Sequence, residues 1–288
     1  MKKFIVLALI FLLTLFNLAA CSTSNDGFDL NHVITVVSRE DGSGTRGAFI
    51  ELFGVEFRAD DGTRQDMTTE EAIIADKTAI MMTNIASDSY AIGYISLGSL
   101  NSTVKALDIG GVKASAANIK NGSYVIQRPF NIAVKGEVGE LAMDFIQFIL
   151  SQEGQQIVGN DYVAIDENAP AYAGLKPSGR IVVAGSSSVT PVMEKLKEAY
   201  VIINSGAQIE IQESDSSAGM TAAMNGTCDI GMASRDLKDS ELAELMEIAI
   251  AIDGIAVIVN NQNPLNGLNA EQVKNIFTGD VTSWSGVQ

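Results

Sequence analysis

The chain has 288 residues and is acidic: 35 Asp and Glu residues stand against 19 Lys and Arg residues, which gives a net charge of −16. This excess argues against nucleic acid and anionic membrane surfaces as partners. It does not exclude a small anion, because backbone dipoles beside a ligand outweigh a distant net charge that salt screens. The length is sufficient for two lobes, each with its own core.

Residues 1–20 have the pattern of an export signal: Lys2 and Lys3, then the apolar run FIVLALIFLLTLF, then LAA. Together with Cys21, LAAC resembles the lipobox of bacterial lipoproteins, in which this cysteine is lipidated and becomes the mature N-terminus. A plain signal peptide followed by a chance cysteine is the alternative. A membrane span is disfavoured because the run is barely long enough and a polar stretch follows it. We therefore expect an extracytoplasmic lipoprotein, anchored to the cell membrane by acyl chains such as palmitate on a tether at 21–27.

Short runs rich in Val and Ile predict buried strands at 33–37, 181–184, 208–211 and 255–259. The first three are each followed by a Gly/Ser loop and a helical pattern, an alternation that is typical of α/β folds. Later segments such as GELAMDFIQFILSQ and LNAEQVKNIF have helical periodicity. The stretch AYAGLKPSGR, at 171–180, is the best internal linker because it has Gly, Pro and Ser and no apolar period.

Helix ends are also marked in the sequence. Thr190 is predicted to be the N-cap of the helix after 181–184, with Pro191 at the first helical position. Gly54 suits the end of the helix that begins near Thr45.

Three loops carry the residues best suited to binding: REDGSGT (39–45), GSSSVT (185–190) and SDSSAG (214–219). A helix N-terminus has unpaired N–H groups and a partial positive charge, so it binds anions without a lysine. Glycine permits close backbone approach, and Ser and Thr hydroxyls add donors. Each loop alone is equally consistent with an ordinary capped turn. The three together, with the forked donors of Arg39, predict a site for a small tetrahedral oxyanion.

Other chemistries fit the sequence poorly. DGSGT differs from the G-x-S-x-G nucleophile elbow because its glycines flank the serine directly. His32, the single histidine, precedes the first strand and is expected to be solvated, which disfavours a Ser-His pair. One histidine and Cys228, expected to be a small buried residue, cannot make a zinc site. We therefore expect no enzyme, cofactor or metal, with a hydrolase as the remaining catalytic alternative.

Several segments closely resemble the extracytoplasmic phosphate-binding proteins of bacterial high-affinity phosphate ABC transporters. They are VVSREDGSGTRGAF, IVVAGSSSVTPVMEKL, SDSSAGMTAAMNGTCDIGMASRDLKDSEL, IAIDGIAVIVN and IFTGDVTSW. The resemblance implies an α/β, two-lobed type II periplasmic-binding-protein fold with the ligand cleft between the lobes. It also implies a monomeric solute-binding protein that closes on dehydrated inorganic phosphate and delivers it to a membrane permease.

The order of the segments resembles a circular permutation of the family. Family members start with the segment found here at 181, so 171–180 would join their former termini. One lobe is then continuous, 127–254, and carries the GSSSV and SDSSAG loops. The other is split, 28–126 plus 255–288, and carries the REDGSGT loop. A cut from a tandem or misjoined gene is the alternative, and a permutation requires the ends of the chain, Asn31 and Gln288, to lie close together.

The resemblance also implies phosphate contacts from both lobes. The implied contacts are Arg39, Ser43, Gly44 and Thr45 from one lobe and Ser187, Ser188, Val189 and Ser216 from the other. Asp41 is expected to hold Arg39 by a salt bridge.

The acceptor of the phosphate proton departs from the family pattern. In many members an aspartate in the segment matching MASRD accepts that proton and so rejects sulfate, but this chain has Arg235 there. Asp253 is our candidate acceptor and Asp236 the second, while a turn residue is an equally good reading of Asp253. Trp284 and Phe277 are expected to pack. The rival functions are a receptor for sulfate or molybdate and a surface sensor or adhesion module.

Overall fold

The computed structural model describes residues 27–59 and 63–287, so the predicted export signal and Cys21 lie outside the described residues. The helices are α1 (Gly44–Phe53), α2 (Thr78–Ser87), α3 (Ala116–Lys120), α4 (Glu140–Ile149), α5 (Gln152–Val158), α6 (Thr190–Ile203), α7 (Ser216–Met224), α8 (Asp239–Leu242) and α9 (Ala270–Phe277). Within the described residues, none of these helices has the length and apolar character needed to cross a membrane.

The strands alternate with these helices along much of the chain. They are β1 (Thr35–Arg39), β2 (Glu56–Arg58), β3 (Arg64–Asp66), β4 (Ile73–Ala75), β5 (Ala91–Ser96), β6 (Lys105–Ala106), β7 (Asp108–Ile109), β8 (Gln127–Val134), β9 (Val163–Ala164), β10 (Gly179–Ser186), β11 (Ala207–Ser214), β12 (Ile230–Ala233), β13 (Met246–Val259) and β14 (Gly267–Leu268).

Within the described residues, ten strands form one sheet that runs through the whole molecule. Its order is β11-β10-β12-β8-β13-β5-β1-β4, and β6 and β9 also pair with β13. The two ends of the sheet are parallel, β10 with β11 and β12, and β1 with β4 and β5. The 14-residue strand β13 joins them, since 246–254 pairs with β8 and 255–259 pairs with β5, both antiparallel.

Buried apolar side chains form separate cores on either side of this crossing. One core takes its residues from 34–126 and 255–287, and the part of the chain around it is called lobe A. Two other clusters take theirs from 130–251, and that part is called lobe B. Membership of the cores changes between residues 126 and 130 and between residues 251 and 255, and the lobe boundaries at 126/127 and 254/255 stay a prediction. Phe277 and Trp284 are fully buried in lobe A, so their predicted packing role is confirmed.

The two ends of the described chain lie side by side in lobe A. The Ser285 N–H donates to the Leu30 carbonyl at 2.6 Å, and the Ile34 N–H donates to the Thr282 carbonyl at 2.8 Å. Adjacent ends are what a permutation requires, because the former chain connection must have been short. The permuted order itself stays a prediction.

The predicted helix ends need one correction. Val189, not Thr190, is the N-cap of α6. Strand β10 runs through Ser186, where it still pairs with Ser214 of β11. The first helical hydrogen bond, from the Met193 N–H at 3.1 Å, is accepted by the Val189 carbonyl, one residue before Thr190. Thr190 is instead the first helical residue, and its hydroxyl donates to the Ser186 carbonyl at 3.1 Å. Gly54 ends α1 with a φ of 67°, as predicted.

The predicted linker at 171–180 is held against lobe B by several hydrogen bonds, including those to the carboxylate of Asp144. Asp144 of α4 accepts hydrogen bonds from the hydroxyls of Tyr172 and Tyr200 and from the backbone N–H of Leu175 at 2.7 Å. Burial alone would raise the pKa of Asp144, but these hydrogen bonds outweigh it and lower the pKa. The linker therefore has defined contacts despite its turn-rich sequence.

Candidate functional site

Four helix N-termini meet where the two lobes touch. In lobe A, α1 follows β1 and α2 follows β4; in lobe B, α6 follows β10 and α7 follows β11. The hydroxyls of Thr45 and Ser188 lie 2.8 Å apart across the junction, and that of Thr78 lies 3.3 Å from that of Ser187. The first N–H groups of each helix have no acceptor within their own helix, so the junction carries a concentration of donors and partial positive charge.

Arg39 supplies the full positive charge at this junction. It is the last residue of β1, and its side chain is only 2% exposed. Its Nη2 donates to the Ser187 hydroxyl of lobe B at 3.0 Å, and its Nη1 lies 3.4 Å from the Thr78 hydroxyl. The Tyr94 hydroxyl fixes the strand end, since it accepts from the Arg39 N–H at 3.1 Å. A guanidinium held in this way is oriented before any ligand arrives.

The partner of Arg39 differs from the prediction. Glu40, not Asp41, makes the salt bridge: its two carboxylate oxygens accept from Arg39 Nε and Nη2, each at 2.8 Å. Asp41 is 96% exposed and pairs with Arg46 at 2.9 Å. The reason is the turn after β1, closed by a hydrogen bond from the Ser43 N–H to the Glu40 carbonyl, which leaves Glu40 beside the guanidinium and Asp41 in solvent.

The predicted donors of lobe B are buried at the same place. Ser187, Ser188 and Ser216 are at most 4% exposed. The Ser216 hydroxyl oxygen accepts from the Ser234 N–H at 3.1 Å, and it lies 3.4 Å from the Ser234 hydroxyl, where either can donate. Val189 is also buried, but its N–H already donates to the Ser186 carbonyl at 3.0 Å.

Glycines allow the lobes to approach closely. A Cβ on Gly44 would lie 2.5 Å from the Ser216 hydroxyl and 2.8 Å from that of Ser234, and one on Gly42 would overlap the carboxylate of Asp215. The Ser217 N–H donates to the Gly42 carbonyl at 3.2 Å. The REDGSGT loop is thus pressed against lobe B. A side chain at Gly44 would push against buried Ser216 and Ser234 and oppose closure, and one at Gly42 would displace the Asp215 carboxylate.

Asp253, the candidate acceptor, lies on β13 and is fully buried. Ser96 donates to its Oδ1 at 2.9 Å, and Arg128 donates to its Oδ2 from Nη2 at 3.2 Å and from Nε at 3.3 Å. Burial raises the pKa of Asp253 to about 6, although Arg128 opposes the shift.

Arg235 and Asp236 lie at the edge of the junction. Arg235 makes two hydrogen bonds of 2.8 Å to Glu241 and a longer one, 3.3 Å, to the Ser217 hydroxyl. Asp236 is exposed. Arg235 therefore ion-pairs with a neighbouring acid, and acceptance of a phosphate proton by Asp253 or Asp236 stays a prediction.

Comparison with known proteins matches this architecture. The PBP superfamily domain matches residues 25–153 and 170–287. A phosphate-binding protein PstS 2 of Streptococcus agalactiae is 52% identical over 271 residues, 93% of this chain and 92% of the relative. A PstS 2 of Streptococcus pneumoniae is 42% identical over 290 residues, 100% of this chain and 99% of the relative. This chain belongs to the PstS family of phosphate-binding proteins.

A solved structure agrees with the assignment. The phosphate-binding protein of a phosphate ABC transporter from Streptococcus pneumoniae has a TM-score of 0.70 and 43% identity, and the match covers 89% of this chain and all of that one. The predicted α/β periplasmic-binding-protein fold is therefore confirmed. These relatives are named as binding proteins of transporters rather than as enzymes. Because the alignments span nearly the full length, the streptococcal relatives share this chain's order of segments.

Sequence reasoning missed several residues at the junction. Thr78 follows a strand of only three residues, too short for periodicity to reveal. Ser234 and Arg128 were missed because neither lies in a Gly/Ser loop that follows a predicted strand. The position of Ser234, directly after the buried strand β12, is the signal that could have identified it.

Proposed function

We propose that this chain is an extracytoplasmic receptor that captures inorganic phosphate between lobes A and B and delivers it to the permease of a phosphate ABC transporter. The observation that carries this proposal is the junction itself. A buried guanidinium, Arg39, meets serine and threonine hydroxyls from both lobes there. The names of the full-length relatives support phosphate as the ligand.

The proposed contacts are sufficient for tight binding. The contacts are Arg39, Ser43, Gly44 and Thr45 from lobe A and Ser187, Ser188, Val189 and Ser216 from lobe B, with Thr78 added from the geometry. A hydrogen bond to a charged group contributes about 1.5–3 kcal/mol net, and micromolar affinity requires about 8 kcal/mol. A handful of such bonds is therefore enough. Since each lobe holds only part of the set, phosphate stabilises the closed state over the open one.

Selectivity for phosphate over sulfate depends on which side chain accepts the phosphate proton. Serine and threonine hydroxyls both donate and accept, so they tolerate either anion. Three carboxylates around the junction, Glu40, Glu241 and Asp253, are each ion-paired with an arginine, and a fourth, Asp215 at the start of α7, accepts the Ala218 N–H at 2.8 Å. Sulfate is therefore the competitor to test, and Asp253, buried behind the junction, stays our candidate acceptor.

Isothermal titration of anion-stripped protein, first with phosphate and then with sulfate at pH 5.5 and pH 8, tests the proposal. We expect phosphate to bind with micromolar or tighter affinity and sulfate at least a hundredfold more weakly at pH 8. At pH 5.5, below the pKa of Asp253, that carboxyl is mostly protonated and the discrimination is expected to narrow. Equal binding of the two anions would favour a general oxyanion receptor. Folded protein that binds neither would contradict the proposal and favour a surface sensor, which co-purification with the permease would then test.

We also propose that Cys21 carries the membrane anchor. Its support is the LAAC sequence at the end of an export signal. Cells fed radioactive palmitate are expected to label the wild-type protein, and the Cys21→Ser variant is expected to lose the label and leave the membrane fraction. The control variant, Cys228→Ser, removes the other cysteine and is expected to leave labelling unchanged. Label retained by the Cys21→Ser variant would exclude this anchor.

A further inference from the structure

A buried ion pair lies where the chain crosses between the lobes. Arg128, near the start of β8, and Asp253, in β13, are register partners in the antiparallel pair that joins lobe A to lobe B. Arg128 is 2% exposed at its side chain and Asp253 is 0% exposed. A buried ion pair adds little stability over apolar side chains of the same volume, because removing two charges from water is costly. Stability alone therefore does not account for the Arg128–Asp253 pair.

Arg128 connects this crossing to lobe B. Two of its nitrogens, Nε and Nη2, are held by Asp253, which is itself fixed by Ser96 of lobe A. The third nitrogen, Nη1, donates to the Ser234 carbonyl at 3.0 Å. All three nitrogens of the guanidinium are thus hydrogen-bonded. Because Asp253 fixes Nε and Nη2, it also fixes Nη1 and with it the position of Ser234.

Ser234 in turn determines what the Ser216 hydroxyl does. The Ser234 N–H donates to the Ser216 oxygen at 3.1 Å, and the Ser234 hydroxyl accepts from that of Ser186 at 3.0 Å. The Ser216 and Ser234 hydroxyls also lie 3.4 Å apart, where either can donate. Since the Ser234 hydroxyl already accepts from Ser186, its donation to Ser216 would leave the Ser216 proton for the anion. Ser216 begins α7, whose Ser217 N–H donates to the Gly42 carbonyl of lobe A at 3.2 Å and whose Ala218 N–H donates to Asp215 at 2.8 Å.

We propose that Arg128 is a positioning residue for phosphate: held by Asp253 at the crossing, it fixes Ser234 and so directs the Ser216 hydroxyl toward the anion. This inference rests on the proposed function. It assigns Arg128 no direct contact with phosphate, and it gives Asp253 the separate role of holding Arg128. The Arg128–Asp253 ion pair at the crossing and the orientation of the Ser216 hydroxyl would then depend on each other.

A double-mutant cycle between Arg128 and Ser216 tests the inference. Phosphate affinity is measured by titration for wild type, Arg128→Met, Ser216→Ala and the double variant, each with its thermal unfolding midpoint. We expect Arg128→Met to weaken phosphate binding about tenfold when residue 216 is serine, and less than threefold in the Ser216→Ala background. The matched control is Arg180→Met, whose exposed side chain pairs with Glu210 at the surface; its affinity is expected to stay within twofold of wild type.

Each outcome decides between the readings. Equal losses in both backgrounds would mean that Arg128 does not act through Ser216, and unchanged affinity in folded Arg128→Met would overturn the inference outright. If Arg128→Met does not fold, Arg128→Lys replaces it in the same cycle, since it keeps a charge beside Asp253 but loses the fork that reaches the Ser234 carbonyl. Wild-type protein that binds no phosphate would sink the proposed function instead, so the two failures are distinguishable.

Discussion

Replacing Arg39 with Ala is expected to weaken phosphate binding by about a hundredfold. The change removes the buried guanidinium that joins Ser187 across the junction, and with it charge-assisted hydrogen bonds of about 1.5–3 kcal/mol each. It also leaves Glu40 without its partner, so that an unpaired carboxylate faces the incoming anion. A loss of about 2.7 kcal/mol corresponds to a hundredfold. Titration with phosphate measures it.

Two controls separate this role from general damage. Arg58→Ala removes an exposed arginine of the same lobe that also pairs with glutamates, and its phosphate affinity is expected to stay within twofold of wild type. Arg39→Lys keeps the charge but loses the fork, so an intermediate loss is expected. Wild-type affinity in a folded Arg39→Ala variant would show that the anion does not bind at this junction.

Gly44→Ala is expected to abolish phosphate binding while leaving the unliganded fold intact. Its Cβ would lie 2.5 Å from the Ser216 hydroxyl and 2.8 Å from that of Ser234, both on the opposite lobe. The added methyl group therefore opposes closure rather than folding, and we expect an affinity loss above a hundredfold with a thermal midpoint within about 3 °C of wild type. Small-angle scattering should show no compaction when phosphate is added.

The matched variant for this test is Gly47→Ala, on the same helix. Nothing lies within 4 Å of a Cβ at Gly47, and alanine favours a helix interior over glycine by about 1 kcal/mol. Its binding should equal that of wild type, with equal or higher stability. Compaction by phosphate in the Gly44→Ala variant would contradict the closed junction described above.

The sequence alone predicts which loops and which arginine form the candidate site, but not how their side chains pair. The three Gly/Ser loops and Arg39 could be predicted because the physics is local: strand, glycine turn and helix start follow one another in the chain. The choice of Glu40 over Asp41 could not, since it depends on the turn that the Ser43 N–H closes after β1. Adjacent acids look alike until the backbone direction is known.

Long-range features were also beyond the sequence. The sequence predicts a strand at 255–259. It does not predict that this strand begins at Met246 or that both lobes share it. The pairing of Arg128 with Asp253 spans 125 positions, and no periodicity reports such a contact. The N-cap of α6 lies one residue before the predicted Thr190, because the Val189 carbonyl accepts the first helical hydrogen bond, which the sequence does not reveal.

The most direct test of the central claim is a crystal structure of the protein grown with phosphate. The account predicts density for the anion between the lobes, within hydrogen-bonding distance of the Arg39 guanidinium and the Ser216 hydroxyl, with further contacts from the first turns of α1 and α6. Phosphate bound elsewhere, or held by one lobe alone with the other turned away, would contradict it.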